Sequence, residues 1–526
     1  MALPDGWWAP HDGYVARVLS ALTAQPDRIA VHWRQQALTG GEFAASVAVT
    51  AARLRELGAG PGAVVGVLTA SNSPDMLRVR YAAHLLGAAV CHVRSTNPGT
   101  SGPALPVGEQ LRILLDTRVR VLFTDAENAG RARELAERAR GRVALAEAGA
   151  PGDVREPAAV PWRPRALAVI GFTSGSTGRP KGIRLSAAAW DNLVEVTGQA
   201  FTGEAGTAAR LLVTTPLSHT VATMADAVLA GGGTVVLHEE FAPEPVLRAL
   251  TGHRISHTFM ATAQLYQLLD HAPLREADLS ALRQLIYTGS AAAPARVAEA
   301  VRLLGPVLVQ GYGTSESGRI TLLHPGDHQD PGLHSTVGRP FPENEIAVHD
   351  PETEEELPPG ATGEVWVRSP HLMDGYWADP ALSMRTLRRG WYRTGDLGRI
   401  DERGCLSLLG RIADVVKTDG VLVHPAVVER RILTLPGIAQ AAVFAVRDPD
   451  LVEHLKAAVV PRPGARIEAE DVRAHLAAGL GAGHVPEEVL ILDALPLNAG
   501  GKPDKRRLRL AWHGTTHSNT PVREVS

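Results

Sequence analysis

The sequence predicts an α/β layered fold, with a large N-terminal domain of sheets and helices carrying a β-rich subdomain. A small mobile α+β C-terminal domain follows. Three observations carry this expectation. Short apolar runs alternate with amphipathic helical stretches up to residue 310, a rhythm that favours parallel pairing because each crossover has room for a helix. From about residue 333 the runs become glycine-punctuated and more antiparallel in character. The last hundred or so residues alternate again, enough for a second core. At 526 residues the chain exceeds what one core serves, so two or more domains are expected.

In chain order, Val15–Leu22 reads as an amphipathic helix and Ile29–His32 as a strand. Ala44 to Leu57 is a helix closed by Gly58 and Gly60-Pro61-Gly62. Val64–Leu68 is a buried strand, and Asn72-Ser73-Pro74-Asp75 opens a helix through Leu86. Ala88–Val90 is a short strand, and the same rhythm recurs between 109 and 145. A proline- and glycine-rich linker from Ala148 to Pro164 leads to the strand Ala166–Ile170. Beyond the glycine-rich stretch that follows, Ala187–Gln199 is a helix, and strands are expected at 211–215, 234–237, 257–260, 284–287 and 307–310. The β-rich region has strands at 346–348, 363–367 and 405–409. The C-terminal part reads as helix 425–434, strands 440–446 and 455–460, helix 470–479 and strand 489–492. The expected domains are therefore 1–410 and 411–511, with 512–526 as a loose tail.

Composition excludes several classes. A net charge of −3 provides no broad basic surface, so nucleic acid is not an expected partner. Two distant cysteines, Cys91 and Cys405, argue for a reducing compartment, and neither a signal peptide nor a membrane span is apparent. A cytoplasmic location and a monomer or homodimer are expected. Lysine occurs at only five positions, Lys181, Lys417, Lys456, Lys502 and Lys505, in a chain that otherwise uses arginine.

Five stretches carry chemistry. In Gly171-Phe172-Thr173-Ser174-Gly175-Ser176-Thr177-Gly178-Arg179-Pro180-Lys181-Gly182, Gly175 and Gly178 let backbone N–H groups turn inward. Thr173, Ser174, Ser176 and Thr177 add hydroxyls, and Lys181 a compact charge. Together they form a polyphosphate cradle. The spacing differs from the nucleotide P-loop, which ends in Gly-Lys-Ser/Thr. Gln310-Gly311-Tyr312-Gly313-Thr314-Ser315-Glu316 follows a strand, where open α/β sheets place ligands. There Tyr312 suits stacking on a base, Ser315 a phosphate oxygen and Glu316 a Mg²⁺ ion. Gly289-Ser290-Ala291 permits close approach of a flat ring or acyl group. Asp396, between Gly395 and Gly398, suits the two hydroxyls of a ribose. Lys502, on a glycine-rich loop, offers a mobile ammonium to the charge that develops when a carboxylate attacks phosphorus.

These stretches resemble the signatures of the adenylate-forming superfamily, which includes acyl-CoA synthetases, nonribosomal adenylation domains and luciferases. The first matches the family's phosphate loop without a gap from Phe172 to Gly182. The Tyr312–Glu316 segment resembles its Tyr-Gly-x-Thr-Glu motif, with Ser315 in place of threonine. Arg393-Thr394-Gly395-Asp396-Leu397 matches its ribose motif, and Pro496 to Lys502 its catalytic-lysine loop. The resemblance implies ATP and Mg²⁺ as cofactors. It implies an ATP site built from residues 173–178, Lys181, Gly289, Ser290, Ala291, Tyr312, Gly313, Thr314, Asp396 and Arg411. Lys502, Ser315 and Glu316 are the implied catalytic residues. His219, Trp190 and Thr223 are expected at the acid pocket, with Asn192, Gly289 and Thr314 near it. Two departures stand out. The pivot between the domains, usually charged, is Ala413, and Leu185-Ser186-Ala187 lacks a histidine common in relatives.

The implied reaction is adenylation of a medium-chain or aromatic carboxylic acid with pyrophosphate release, followed by transfer to the thiol of coenzyme A. The runner-up loads the phosphopantetheine of a free carrier protein. A rarer alternative activates a non-standard acid such as nitrite for attack by an amine. A non-catalytic nucleotide-binding homologue stands outside the enzyme class. No carrier domain follows Lys502, so a stand-alone activator is expected.

Overall fold

The computed structural model describes residues 6–93, 105–149, 159–173, 181–201, 208–290, 292–418, 421–448, 453–497 and 502–515. Within these, the large N-terminal domain is built on two big sheets. One runs in the spatial order Arg339–Pro340, Gly318–Leu323, Leu308–Thr314, Gln284–Thr288, His257–Ala261, Arg210–Val213, Thr234–Leu237, Ile29–Trp33 and Gln36–Thr39. Its six inner strands, from Leu308–Thr314 to Ile29–Trp33, are parallel and its edges antiparallel. The other runs Gly375–Tyr376, Lys181–Ser186, Leu167–Thr173, Ala89–His92, Val64–Leu68, Val119–Thr124 and Ala144–Glu147. Val64–Leu68 is buried along its whole length, as expected of a parallel strand covered on both faces.

The main core lies between the sheets. Helices Tyr14–Ala24, Gly40–Glu56, Pro74–Leu85, Ala187–Phe201 and Val221–Ala230 contribute to it together with strand residues from both sheets. The Gly40–Glu56 helix starts on a capping box. Thr39 Oγ1 accepts from Glu42 N, and Glu42 returns a carboxylate to Thr39 N.

The β-rich subdomain is a sheet of Glu345–His349, Gly363–Arg368, Trp391–Ile400, Leu387–Arg388 and Leu406–Arg411. The smaller C-terminal domain packs helices Pro425–Ile432, Ala469–Leu480 and Lys505–Thr515 on the sheet Ile438–Arg447, Glu453–Pro461 and Glu488–Ile491. No helix among the described residues is long and apolar enough to cross a membrane.

Three local expectations are corrected. A strand, Lys181–Ser186, stands between the phosphate loop and the helix at 187, pairing antiparallel with Leu167–Thr173 in the register Thr173↔Lys181. The strand expected at 307–310 continues to Thr314, so Tyr312 lies within it rather than after it. The antiparallel Gly318–Leu323 supplies the hydrogen bonds that extend it. Finally, Ala511–Thr515 is not loose: it continues the last helix, because Trp512 is buried edge-on against Phe444 with ring centroids 5.8 Å apart. Residues 516–526 lie outside the described part.

Trp512→Ala removes one of the larger buried side chains of the small domain. The expected cost is about 3 kcal/mol, read as a lowered unfolding midpoint confined to that domain in a denaturant titration followed by hydrogen exchange.

Candidate active site

Two of the chemistry-bearing stretches converge because their strands are parallel neighbours. Gln284–Thr288 and Leu308–Thr314 lie side by side and deliver Gly289 and Ser315-Glu316 at their carboxyl ends. Gly289 has φ +98°, open to glycine at little cost, and Thr262 pins its turn by donating to the carbonyls of Thr288 and Ser290, both at 3.1 Å. At Gly313 a Cβ would stand 2.3 Å from the Gly318 carbonyl, so only glycine fits the tight pairing there.

Asp396 sits directly opposite Arg411 across an antiparallel pair. Its Oδ1 is 2.7 Å from Arg411 Nε, and its Oδ2 accepts from the Tyr312 hydroxyl at 2.6 Å. Burial pushes the Asp396 carboxyl above the usual range, against the opposing pull of Arg411 and the Tyr312 hydrogen bond. Buried Glu364 steadies the preceding turn, accepting from Gly395 N at 3.1 Å and from Arg393 Nε at 3.0 Å. Three parts of the chain thus meet at one carboxylate: the first sheet, the β-rich subdomain and the strand that leads into the small domain.

Glu316 lies half-buried in the turn after Thr314, and Ser315 beside it is exposed. The Tyr376 hydroxyl donates to Glu316 Oε1 at 3.1 Å, and the Lys181 ammonium stands 5.7 Å from the centre of the Tyr376 ring. Burial raises the Tyr376 phenol pKa, and Glu316 raises it further, so it stays a neutral donor. The contact exists because Gly375–Tyr376 adds to the edge of Lys181–Ser186. Nothing in the sequence near 376 signals this; the only hint is an aromatic pair after a glycine. Thr314 Oγ1 is 2.9 Å from Ser317 Oγ and closes the turn.

Lys502 reaches this site from the small domain. A Cβ placed on Gly289 would lie 3.2 Å from its Cε and 4.0 Å from its Cγ. The residue as a whole is exposed, yet protein crowds round the ammonium end. That desolvation lowers the lysine pKa, as does Arg411, while Asp396 and Glu316 partly restore it. Lys502 therefore senses both carboxylates of the site.

The remaining candidates are placed as follows. His219 is exposed in the turn after Arg210–Val213, a turn held by the buried Asn72, whose Oδ1 accepts from Leu217 N at 2.8 Å. Trp190 is buried in the helical core, its indole N–H donating to Asp226 at 3.0 Å. Asp226 in turn pairs with the fully buried Arg80 and accepts from Tyr81 at 2.6 Å. Thr223 is buried in its helix, with its hydroxyl donated to the Thr220 carbonyl at 2.9 Å. Ala413 is exposed in a short turn, Ile412–Asp414. The phosphate-loop residues 174–180, the Thr173 side chain and Ala291 lie outside the described part.

The described residues contain no group of three or more His, Cys, Asp or Glu side chains suited to a metal. A lone carboxylate such as Glu316 still fits Mg²⁺, which keeps several waters and is bound through one or two carboxylates and substrate phosphates.

Comparison with known proteins agrees with this geometry. Residues 19–377 match the AMP-binding enzyme family, and residues 427–502 the AMP-binding enzyme C-terminal domain. A medium/long-chain-fatty-acid–CoA ligase of Mycobacterium tuberculosis is 32% identical, over 96% of this chain and 90% of its own. A feruloyl-CoA synthase of Amycolatopsis is 33% identical, over 92% of this chain and 96% of its own. Among solved structures, the amide bond synthetase McbA from Marinactinospora thermotolerans superposes with a TM-score of 0.83 at 36% identity, covering 95% of this chain and 99% of that one. With ordered motifs, paired domains and full-length relatives in agreement, the chain belongs to the adenylate-forming superfamily and is an ATP-dependent adenylate-forming ligase.

Proposed function

We propose that the protein adenylates a medium-chain or aromatic carboxylic acid and passes the acyl group to the thiol of coenzyme A. The observation that carries this reading is the small-domain Lys502 lying over Gly289 within electrostatic reach of Asp396 and Glu316. In the first step an oxygen of the acid attacks the α-phosphorus of ATP. The bond to the pyrophosphate oxygen breaks, leaving an acyl-adenylate. Lys502 would neutralise charge at the reacting groups, and Asp396 would accept from the ribose hydroxyls. Lys181 and the hydroxyls of residues 173–177 would hold the leaving phosphates. Magnesium held at Glu316 would supply further charge neutralisation on the phosphates. In the second step the thiol sulfur attacks the acyl carbon, AMP leaves and the thiol proton goes to solvent.

A second reading replaces the thiol with an amine, so that an amide forms. The amide bond synthetase McbA favours it, since at 36% identity it resembles this chain more than the two CoA ligases described above. The chemistry of activation is the same, and only the acceptor differs.

A screen of ferulate, indole-3-acetate and decanoate for acid-dependent pyrophosphate exchange tests the first step. Product analysis with coenzyme A or a primary arylamine then separates the acceptors. Exchange with at least one acid is expected, together with a loss of about 10²-fold in Lys502→Ala. Undiminished exchange in that variant would remove Lys502 from the mechanism.

The pH profile offers an independent check. The charged form of Lys502 is the useful one, and its pKa is lowered, so the exchange rate should fall on the alkaline side. The fall should come below the ordinary lysine value of about 10.4. That alkaline limb should be missing from the residual activity of Lys502→Ala.

A further inference from the structure

Lys502 works only if the small domain holds it over Gly289, and the side chain at the expected pivot, Ala413, is a methyl that cannot form an ion pair or hydrogen bond. The structure assigns that holding role to an ion pair well away from the reacting groups, Arg462 with Glu299. This inference rests on the reading of Lys502 given above.

Arg462 lies at the end of the Glu453–Pro461 strand, its backbone N–H bonded to the Gly437 carbonyl at 2.7 Å. Its Nη2 crosses to the large domain and meets Glu299 Oε2 at 3.1 Å. Glu299 is mostly buried, at 13% exposure, against 35% for Arg462. The same Glu299 oxygen accepts from Arg296 Nη1 at 2.7 Å, and Arg296 Nη1 also reaches Asp270 at 2.8 Å. Two carboxylates therefore face one fully buried guanidinium, a trio with a net negative charge beside which both Arg275 and Arg462 lie, Arg462 being paired directly to Glu299.

The network ends at the nucleotide side of the site. Arg296 Nη2 donates to the Tyr266 carbonyl at 2.8 Å, and its guanidinium packs 4.8 Å from the Tyr266 ring centre. The Tyr266 hydroxyl accepts from Ala293 N at 2.7 Å, and Thr262, one turn earlier on the same helix, bonds the carbonyls that flank Gly289. The surface that receives Arg462 and the turn that receives Lys502 thus share one rigid support. Beside the ion pair a cavity of about 210 Å³ is lined by Leu269 and Arg275 of the large domain and Pro463 of the small one. The contact that crosses between the domains at this point is the charged one. Arg462 is a positioning residue for Lys502.

Spin labels at Arg302→Cys and Ala474→Cys, both exposed and on opposite domains, report the docking without need of the acid or of an acceptor. The native Cys91 and Cys405 are buried and do not compete for label. In the full-length protein with Mg-ATP, the label distance should be narrow and short, and Arg462→Lys should preserve it. Arg462→Glu should lengthen and broaden it, and should lower kcat for pyrophosphate exchange with ferulate by about 5- to 10-fold with little change in either KM. Lys502→Ala should lower exchange by about 10²-fold while leaving the distance unaltered. An unchanged distance in Arg462→Glu overturns the assignment, as does a shifted distance with full exchange. Full exchange in Lys502→Ala would instead overturn the underlying reading of that lysine, through a different measurement.

Discussion

The constraint on which the site depends is the pairing of Asp396 with Arg411 across neighbouring antiparallel strands, with Tyr312 completing the carboxylate's coordination. A carboxylate this buried is costly unless charge and hydrogen bonds compensate it. The compensation arrives from two different sheets, so the first sheet and the β-rich subdomain cannot shift independently without exposing or stranding it. Arg411 is also the last residue of its strand, immediately before the turn that leads to the small domain. The geometry of the Asp396 carboxylate and the point of domain departure are therefore set by one ion pair.

Around that pair the site is arranged by charge. Glu316 and Asp396 are both within electrostatic reach of Lys502, and each has its own positive or hydrogen-bonding partner in the large domain. The lysine is the component that comes from elsewhere, and its lowered pKa follows from entering a crowded, partly desolvated place that already holds Arg411. A site with one imported cation is sensitive to how the importing domain is seated, and the Arg462–Glu299 contact acts there.

The fold was largely legible in the chain because its strands are short apolar runs separated by amphipathic helices, and parallel strands of this kind are covered on both faces. Val64–Leu68 is the clearest case. Several strands escaped notice, Gly318–Leu323 and Trp391–Ile400 among them. Lys181–Ser186 alternates too little and carries a lysine at its start, and Gln36–Thr39 is an exposed edge with little apolar content. Trp512 was misread for the opposite reason. The helix around it is strongly basic, so its packing against Phe444 and its neighbours, far away in sequence, is invisible in the local pattern.

By itself the sequence determined a set of phosphate- and charge-binding devices, and their resemblance to the adenylate-forming signatures implied the class of chemistry. Glycine-framed hydroxyls, isolated lysines and a carboxylate between glycines are local devices, so they are legible in residue type and spacing. The tertiary structure decided which of them share a site, that Tyr376 ties Glu316 to the strand bearing Lys181, and that Trp190 serves a buried network with Asp226 and Arg80. These facts are set by sheet register and by ion pairs between residues tens to hundreds of positions apart. Such contacts leave no periodicity in the chain, because the distance that matters is measured across strands and domains rather than along the backbone.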